Sequence, residues 1–240
     1  MDTVIEETKV ITDTPLRALV DLRNMLQLNR IAFGNRLSAI ERGTDSGEAS
    51  KSIIERWVER FQGLEDEADD DIADLVDDMP IVDEMIKVKG IGKLLAAKLI
   101  SMIDIKEADT VSALWRYCGY AVIDGERERP TKGEKLHYNA RLKTTCYLVG
   151  TSFLRSASPY RSIYEDARVY YDANRPDWTK LHKHNAAMRK MIKVYLSHLW
   201  VVWRELEGLP VTALYVEEKL GHTHYRTPGE FGWKVATYSK

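Results

Sequence analysis

Cysteine is scarce in this chain of 240 residues: Cys118 and Cys146 are the only two, which excludes a disulfide-stapled framework, and their spacing excludes a cysteine metal site. They read as two buried thiols in a reducing cytoplasm. No run of about 18 uncharged apolar residues occurs, so no segment is expected to span a membrane. The opening MDTVIEETKV is acidic and lacks the apolar stretch of a secretory signal. Alternation of apolar and polar residues is nearly missing, which leaves little material for sheet. The remaining patterns have helical spacing, and the expected fold is mainly α.

Charge is present in both signs but unevenly placed. Residues 1–80 carry 9 Lys/Arg against 19 Asp/Glu, and residues 81–240 carry 26 against 18. A net of −10 is followed by a net of +8, which predicts two parts with different tasks and puts an anionic partner on the second.

Thr14-Pro15 has the form of an N-cap followed by proline at the first helical position. Helical spacing then runs to Gly43, breaks at GTDSGE, and resumes from Glu48 to Asp78. Residues 1–79 are therefore expected to form a long antiparallel helical hairpin, coiled-coil-like in character. Its stretch EDEADDDIADLVDD is densely acidic and reads as a solvated helix face. It lacks the glycine of a calcium loop, and no metal or other cofactor is expected.

Pro80 punctuates the boundary to a compact helical domain at 80–208. Within it, Asp109 is placed to cap a short helix ending at Gly119, Ala140–Ser156 is helical by period, and Asp177–Gly208 forms a long closing helix. The extension at 209–240 is mixed in pattern, with room for short strands.

The first chemical feature is MIKVKGIGKLLAAKLISMI. Gly90-Ile91-Gly92 makes a tight turn that opens into an Ala/Leu-rich helix, flanked by Lys89 and Lys93. Glycine tolerates positive φ and keeps no Cβ between backbone and ligand. The first amides of the helix lack intrahelical acceptors, and the helix dipole favours an anion there. This is the signature of a helix-hairpin-helix, a backbone clamp on phosphate. The closing helix supports the same chemistry: no acid occurs from Thr179 to Arg204, while Lys180, Lys183, His184 and Lys190 share an arc. Between the two lies a polar segment bearing Arg127, Arg129, Lys132, Lys135, Asn139, Arg141 and Lys143, suited to a nucleic-acid groove. Catalytic chemistry is poorly represented. Acids do not converge on a metal position, and the hydroxyls worth naming are Thr131 and Ser152.

The ordered segments VKGIGKLLAAKLISMIDI, SALWRYCGY, HYNARLK and HNAAMRKMIKVYLSHLW together resemble the C-terminal domain of the RNase-H-fold (DEDD) insertion-sequence transposases, the bridge-RNA-guided recombinases. Ile91 and both glycines match that pattern, as do Tyr117, Cys118, Gly119, Asn139, Leu142, Lys143, Ala187, Arg189 and Lys190. The earlier LRNMLQLNRIAFGNRLSAI is similar to the coiled-coil arm preceding the domain, so the resemblance covers about residues 16–208. Three departures bear on function. Lys89 replaces the usual proline. The family's acidic RNase-H-like domain has no counterpart, since helix begins near residue 15. The loop from Tyr120 to Tyr138, where the family carries its catalytic serine, has none; Thr131 is its only hydroxyl besides the two tyrosines.

The resemblance and the residues together predict a non-catalytic, largely sequence-independent binder of the DNA backbone, with RNA as an alternative ligand. The arm is expected to form a homodimer or to bind a protein partner. Two readings compete: a strand-transfer or nuclease enzyme with an unrecognised nucleophile or partner-supplied acids, and a protein-binding or inhibitory module acting through the acidic arm.

Overall fold

The computed structural model describes residues 14–122, 133, 136–211 and 226–234. These residues form eight α-helices and two short 3₁₀ turns, with no strand among them. The chain divides into two compact units, one ending at Asp78 and the other beginning at Met79.

The first unit is built from α1 (Pro15–Glu41) and α2 (Lys51–Leu75), joined through a 3₁₀ turn at Glu48–Ser50. Thr14 Oγ1 accepts from Arg17 N at 3.2 Å and Pro15 occupies the first helical position, so the N-terminus of α1 is locally encoded. Pairings Arg23–Asp69, Arg30–Glu65 and Phe33–Phe61 show the two helices running in opposite directions side by side. Leu16, Val20, Ile40, Ile54, Ala68 and Ile72 bury their side chains.

The middle of this seam is ionic. Arg23 makes a two-bond fork to Asp69 at 2.8 and 3.1 Å, and Arg30 does the same to Glu65 at 2.5 and 3.3 Å. Glu65 is only 1% exposed and also lies 3.5 Å from Arg23. The acidic run is therefore not wholly a solvated face, because Glu65 and Asp69 are drawn into the seam. A buried carboxylate placed against two guanidinia sets the register of the pair, since any slip would strand it without partners.

The second unit surrounds α8 (Lys180–Leu206). From Ala187 onward this helix is buried on most sides, and it packs against α3 (Pro80–Lys87), α5 (Val111–Tyr117), α6 (Ala140–Ser156) and α7 (Arg161–Asn174). Helix α4 (Lys93–Ile100) packs against α3 and α6. Phe153, Tyr160 and Tyr195 form an aromatic core with ring centroids 4.8 to 5.5 Å apart. Trp200 and Arg204 of α8 donate to the carbonyl oxygens of Ile105 and Ala108, fixing the segment between α4 and α5.

Two expectations change and one helix is new. The N-cap of α5 is Thr110, whose Oγ1 accepts from Ala113 N at 3.1 Å; exposed Asp109 sits one residue too early to reach that amide. Helix α7 carried no assignment in the sequence; its exposed face mixes Val169 and Tyr170 with charge, which blurs the apolar period. In the C-terminal extension, the described residues hold a 3₁₀ turn at Pro228–Phe231 and no strand. Phe231 and Trp233 are buried there, and Lys234 N donates to Glu84 Oε2 at 2.8 Å, so the tail clasps α3 just ahead of the glycine turn.

Candidate nucleic-acid interface

The turn Val88–Gly92 connects α3 to α4. Val88 and Ile91 are buried and anchor it, while Lys89 and Gly92 face solvent. Ile91 N donates to Val88 O at 3.0 Å, closing the turn internally. Gly90 adopts φ +104°, and a Cβ there would lie 2.6 Å from Ser156 Oγ, so the fold itself demands glycine. Gly92 differs. Its φ of −105° suits any residue, and a Cβ would meet nothing within 4 Å. Nothing inside the protein requires a glycine at position 92.

Helix α4 starts directly after Gly92, which serves as an N-cap without a side-chain acceptor. The first bond of the ladder runs from Ala96 N to Gly92 O at 3.0 Å. The amides of Gly92, Leu94 and Leu95 consequently have no acceptor among the described residues, and they open beside exposed Lys89 and half-buried Lys93. Helix α6 holds this arrangement in place: Ser152 Oγ donates to Gly90 O at 2.5 Å and Ser156 Oγ to Lys89 O at 3.5 Å. Ser152, a candidate nucleophile in the sequence, thus spends its hydroxyl proton on the turn's backbone.

The other expected ligand residues fall into separate groups. Asn139 caps α6, accepting from Leu142 N at 3.0 Å and donating to Tyr117 Oη at 3.2 Å; its role is structural. Lys143 lays its ammonium 4.2 Å from the centre of the Tyr138 ring, and Arg141 is exposed beside it. Lys143 and Ser152 are nine residues apart on α6, about 14 Å along the helix, so this group is distinct from the glycine turn. On α8, Lys180 and Lys190 are exposed as the arc predicts. Lys183 is not: it is buried and paired to Asp172 of α7 at 3.1 Å, while His184 Nδ1 lies 2.8 Å from Tyr164 Oη. Both face α7, an element invisible to the sequence reading. Arg127, Arg129, Thr131, Lys132 and Lys135 lie outside the described residues.

Lys193 and Trp115 were missed in sequence. The Lys193 ammonium sits 3.8 Å from the centre of the Trp115 ring, and Trp115 Nε1 donates to Lys193 O at 3.0 Å. Burial lowers the Lys193 pKa to about 8, and the nearby Arg189 charge adds to the effect. Arg189 donates to Tyr120 O and Ala121 O at 3.1 and 2.7 Å. The acid-free run of α8 was the available signal, but only packing shows which of its cations meet an aromatic ring. Among the described residues no group of three or more His, Cys, Asp or Glu is placed to hold a metal ion.

No protein-family model matches this chain. No curated protein sequence matches it either.

Proposed function

We propose that the chain is a non-catalytic, largely sequence-independent DNA-binding protein that grips a backbone phosphate at the turn between α3 and α4, acting as a helix-hairpin-helix. One observation carries this reading. Gly92 is a glycine that the fold does not need, at the mouth of a helix where the amides of Gly92, Leu94 and Leu95 have no acceptor among the described residues and Lys89 is exposed alongside. A glycine kept where only an approaching ligand would notice its missing Cβ fits a phosphate cradle. The charge balance of residues 81–240 and the ordered resemblance to transposase C-terminal domains support the same reading.

The test is electrophoretic mobility shift on duplex DNA across salt concentrations. A backbone grip should lose affinity steeply with salt and show little preference among sequences. The double variant Gly92→Asp, Lys89→Glu should fold normally and bind at least tenfold more weakly, since it sets negative charge where the phosphate would sit. Undetectable wild-type binding at low salt, or an unchanged double variant, would sink the proposal.

For the arm, a homodimer is the reading favoured by α2. Ile53, Trp57, Leu64 and Leu75 are exposed at spacings of four, seven and eleven, giving α2 a second apolar stripe beside its seam with α1. Along it, Arg56 and Arg60 sit in the N-terminal half, and Glu67, Asp71 and Asp74 in the C-terminal half. Two copies laid antiparallel would match those halves and bury the stripe. Light scattering should show a dimer that Trp57→Lys converts to monomer; a monomeric wild type at high concentration excludes it.

A further inference from the structure

One face of α8 carries features that a grip on duplex phosphate does not use. His182, Ala186, Arg189 and Lys193 follow the four-three-four spacing that aligns residues along a single helix face. At the N-terminal end of this face the His182 ring stacks on Trp178, centroids 3.9 Å apart and planes 5° apart. Tyr171 lies 5.3 Å behind Trp178, and Tyr170 continues the series at 5.4 Å. Arg175 adds a guanidinium 5.7 Å from the Trp178 ring. At the other end Lys193 lies on Trp115. Between the two ends, Asn185 and Lys190 are exposed, and α8 carries no acid from Lys180 to Arg204. Asp172 of α7 is already taken up by Lys183.

We infer that this face binds an unpaired strand of nucleic acid, its bases stacking on the Trp178–His182 pair and its phosphates meeting Lys190 and Lys193, the latter held on the Trp115 ring. Cations interleaved with planar rings suit a strand whose bases are free. In a duplex those ring faces are already stacked on neighbouring pairs and unavailable. The eleven residues from His182 to Lys193 span about 16 Å, the length of about five stacked nucleotides. The inference rests on the nucleic-acid reading above and assigns the protein a preference for duplex with an adjoining single-stranded segment.

The experiment compares the full chain on a blunt duplex, on the same duplex with an overhang of about five thymidines, and on the same duplex with a uridine overhang. The overhang should tighten binding about tenfold and quench tryptophan fluorescence. His182→Ala and Lys193→Gln should each remove most of that gain and leave blunt-duplex affinity unchanged. Lys193→Gln should also lower the salt slope on single strand by about 0.7. A uridine overhang that binds as well as the thymidine one fits recognition of the shared base and phosphate chemistry. Equal wild-type affinity for blunt and overhung duplex, with both lost in Gly92→Asp, Lys89→Glu, overturns the strand site and leaves the phosphate grip standing. Equal weakening of blunt duplex by His182→Ala makes the face a duplex surface and overturns the inference too. Binding to none of the ligands overturns both.

Discussion

Ser152 Oγ donates a 2.5 Å hydrogen bond to Gly90 O, joining α6 to the glycine turn across 62 residues of sequence. The bond satisfies a carbonyl that the left-handed backbone of Gly90 turns out of the α3–α4 connection. Ser152→Ala should therefore lower stability by about 1 kcal/mol and speed amide exchange in residues 88–92 more than elsewhere. DNA affinity should fall with it, because a looser turn must be ordered on binding. Uniform exchange with unchanged affinity would show that the tie does not position the turn.

The two glycines of the turn should respond oppositely to side chains. Gly90→Ala forces a Cβ to within 2.6 Å of Ser156 Oγ at φ +104°, and should cost about 1–3 kcal/mol in denaturant melts. Gly92→Ser adds a hydroxyl in open space at a helix N-cap, where serine is favoured, so stability should hold or rise. The new hydroxyl competes for the amides of the first turn, and DNA affinity should fall in this stable variant. Retained affinity would detach Gly92 from binding.

A buried relay predicts acid sensitivity of the second unit. Trp233 Nε1 donates to Tyr160 Oη at 2.8 Å, Tyr160 Oη lies 2.6 Å from His198 Nδ1, and His198 Nε2 lies 3.0 Å from Arg226 O. Since Arg226 O can only accept, neutral His198 carries its proton on Nε2, and Nδ1 accepts from the Tyr160 hydroxyl. Burial lowers its pKa from 6.5 to about 4. The unfolded chain binds a proton below about pH 6.5 that the folded chain refuses until about pH 4. The stabilisation is whole above pH 6.5 and lost through that window, on the order of 3 kcal/mol. Nuclear magnetic resonance of the His198 ring checks the value; titration near 6.5 would contradict the relay.

Lys193 should impose a second pH dependence, on binding. The groups facing it are Arg189 from the preceding turn of α8 and the Trp115 ring of α5, and neither stabilises its charge enough to offset burial. With a pKa of about 8 it loses charge between pH 7 and pH 9, whereas ordinary lysines remain protonated. Affinity for single strand should fall across that range. Lys193→Arg should flatten the profile, because arginine stays charged. A flat wild-type profile would mean that Lys193 meets no phosphate.

The residues that determined structure locally were legible in order. Thr14-Pro15 starts α1, helical spacing places α6 at Ala140–Ser156, and Gly90-Ile91-Gly92 makes a turn into a helix, because caps, prolines and glycines act through their own backbone. Charge segregation was equally plain, being a sum over residues. What the tertiary structure decided is which polar groups are used internally. Lys183 and His184 look like ligands on a helical wheel until α7 packs against them, and Glu65 looks solvated until two arginines of α1 close over it. Ser152 looks like a nucleophile until the turn arrives at its hydroxyl, and Lys193 looks ordinary until Trp115 slides beneath it. Spacing along a chain sets which side chains share a face. Only burial against a distant partner decides whether a charge remains available to a ligand.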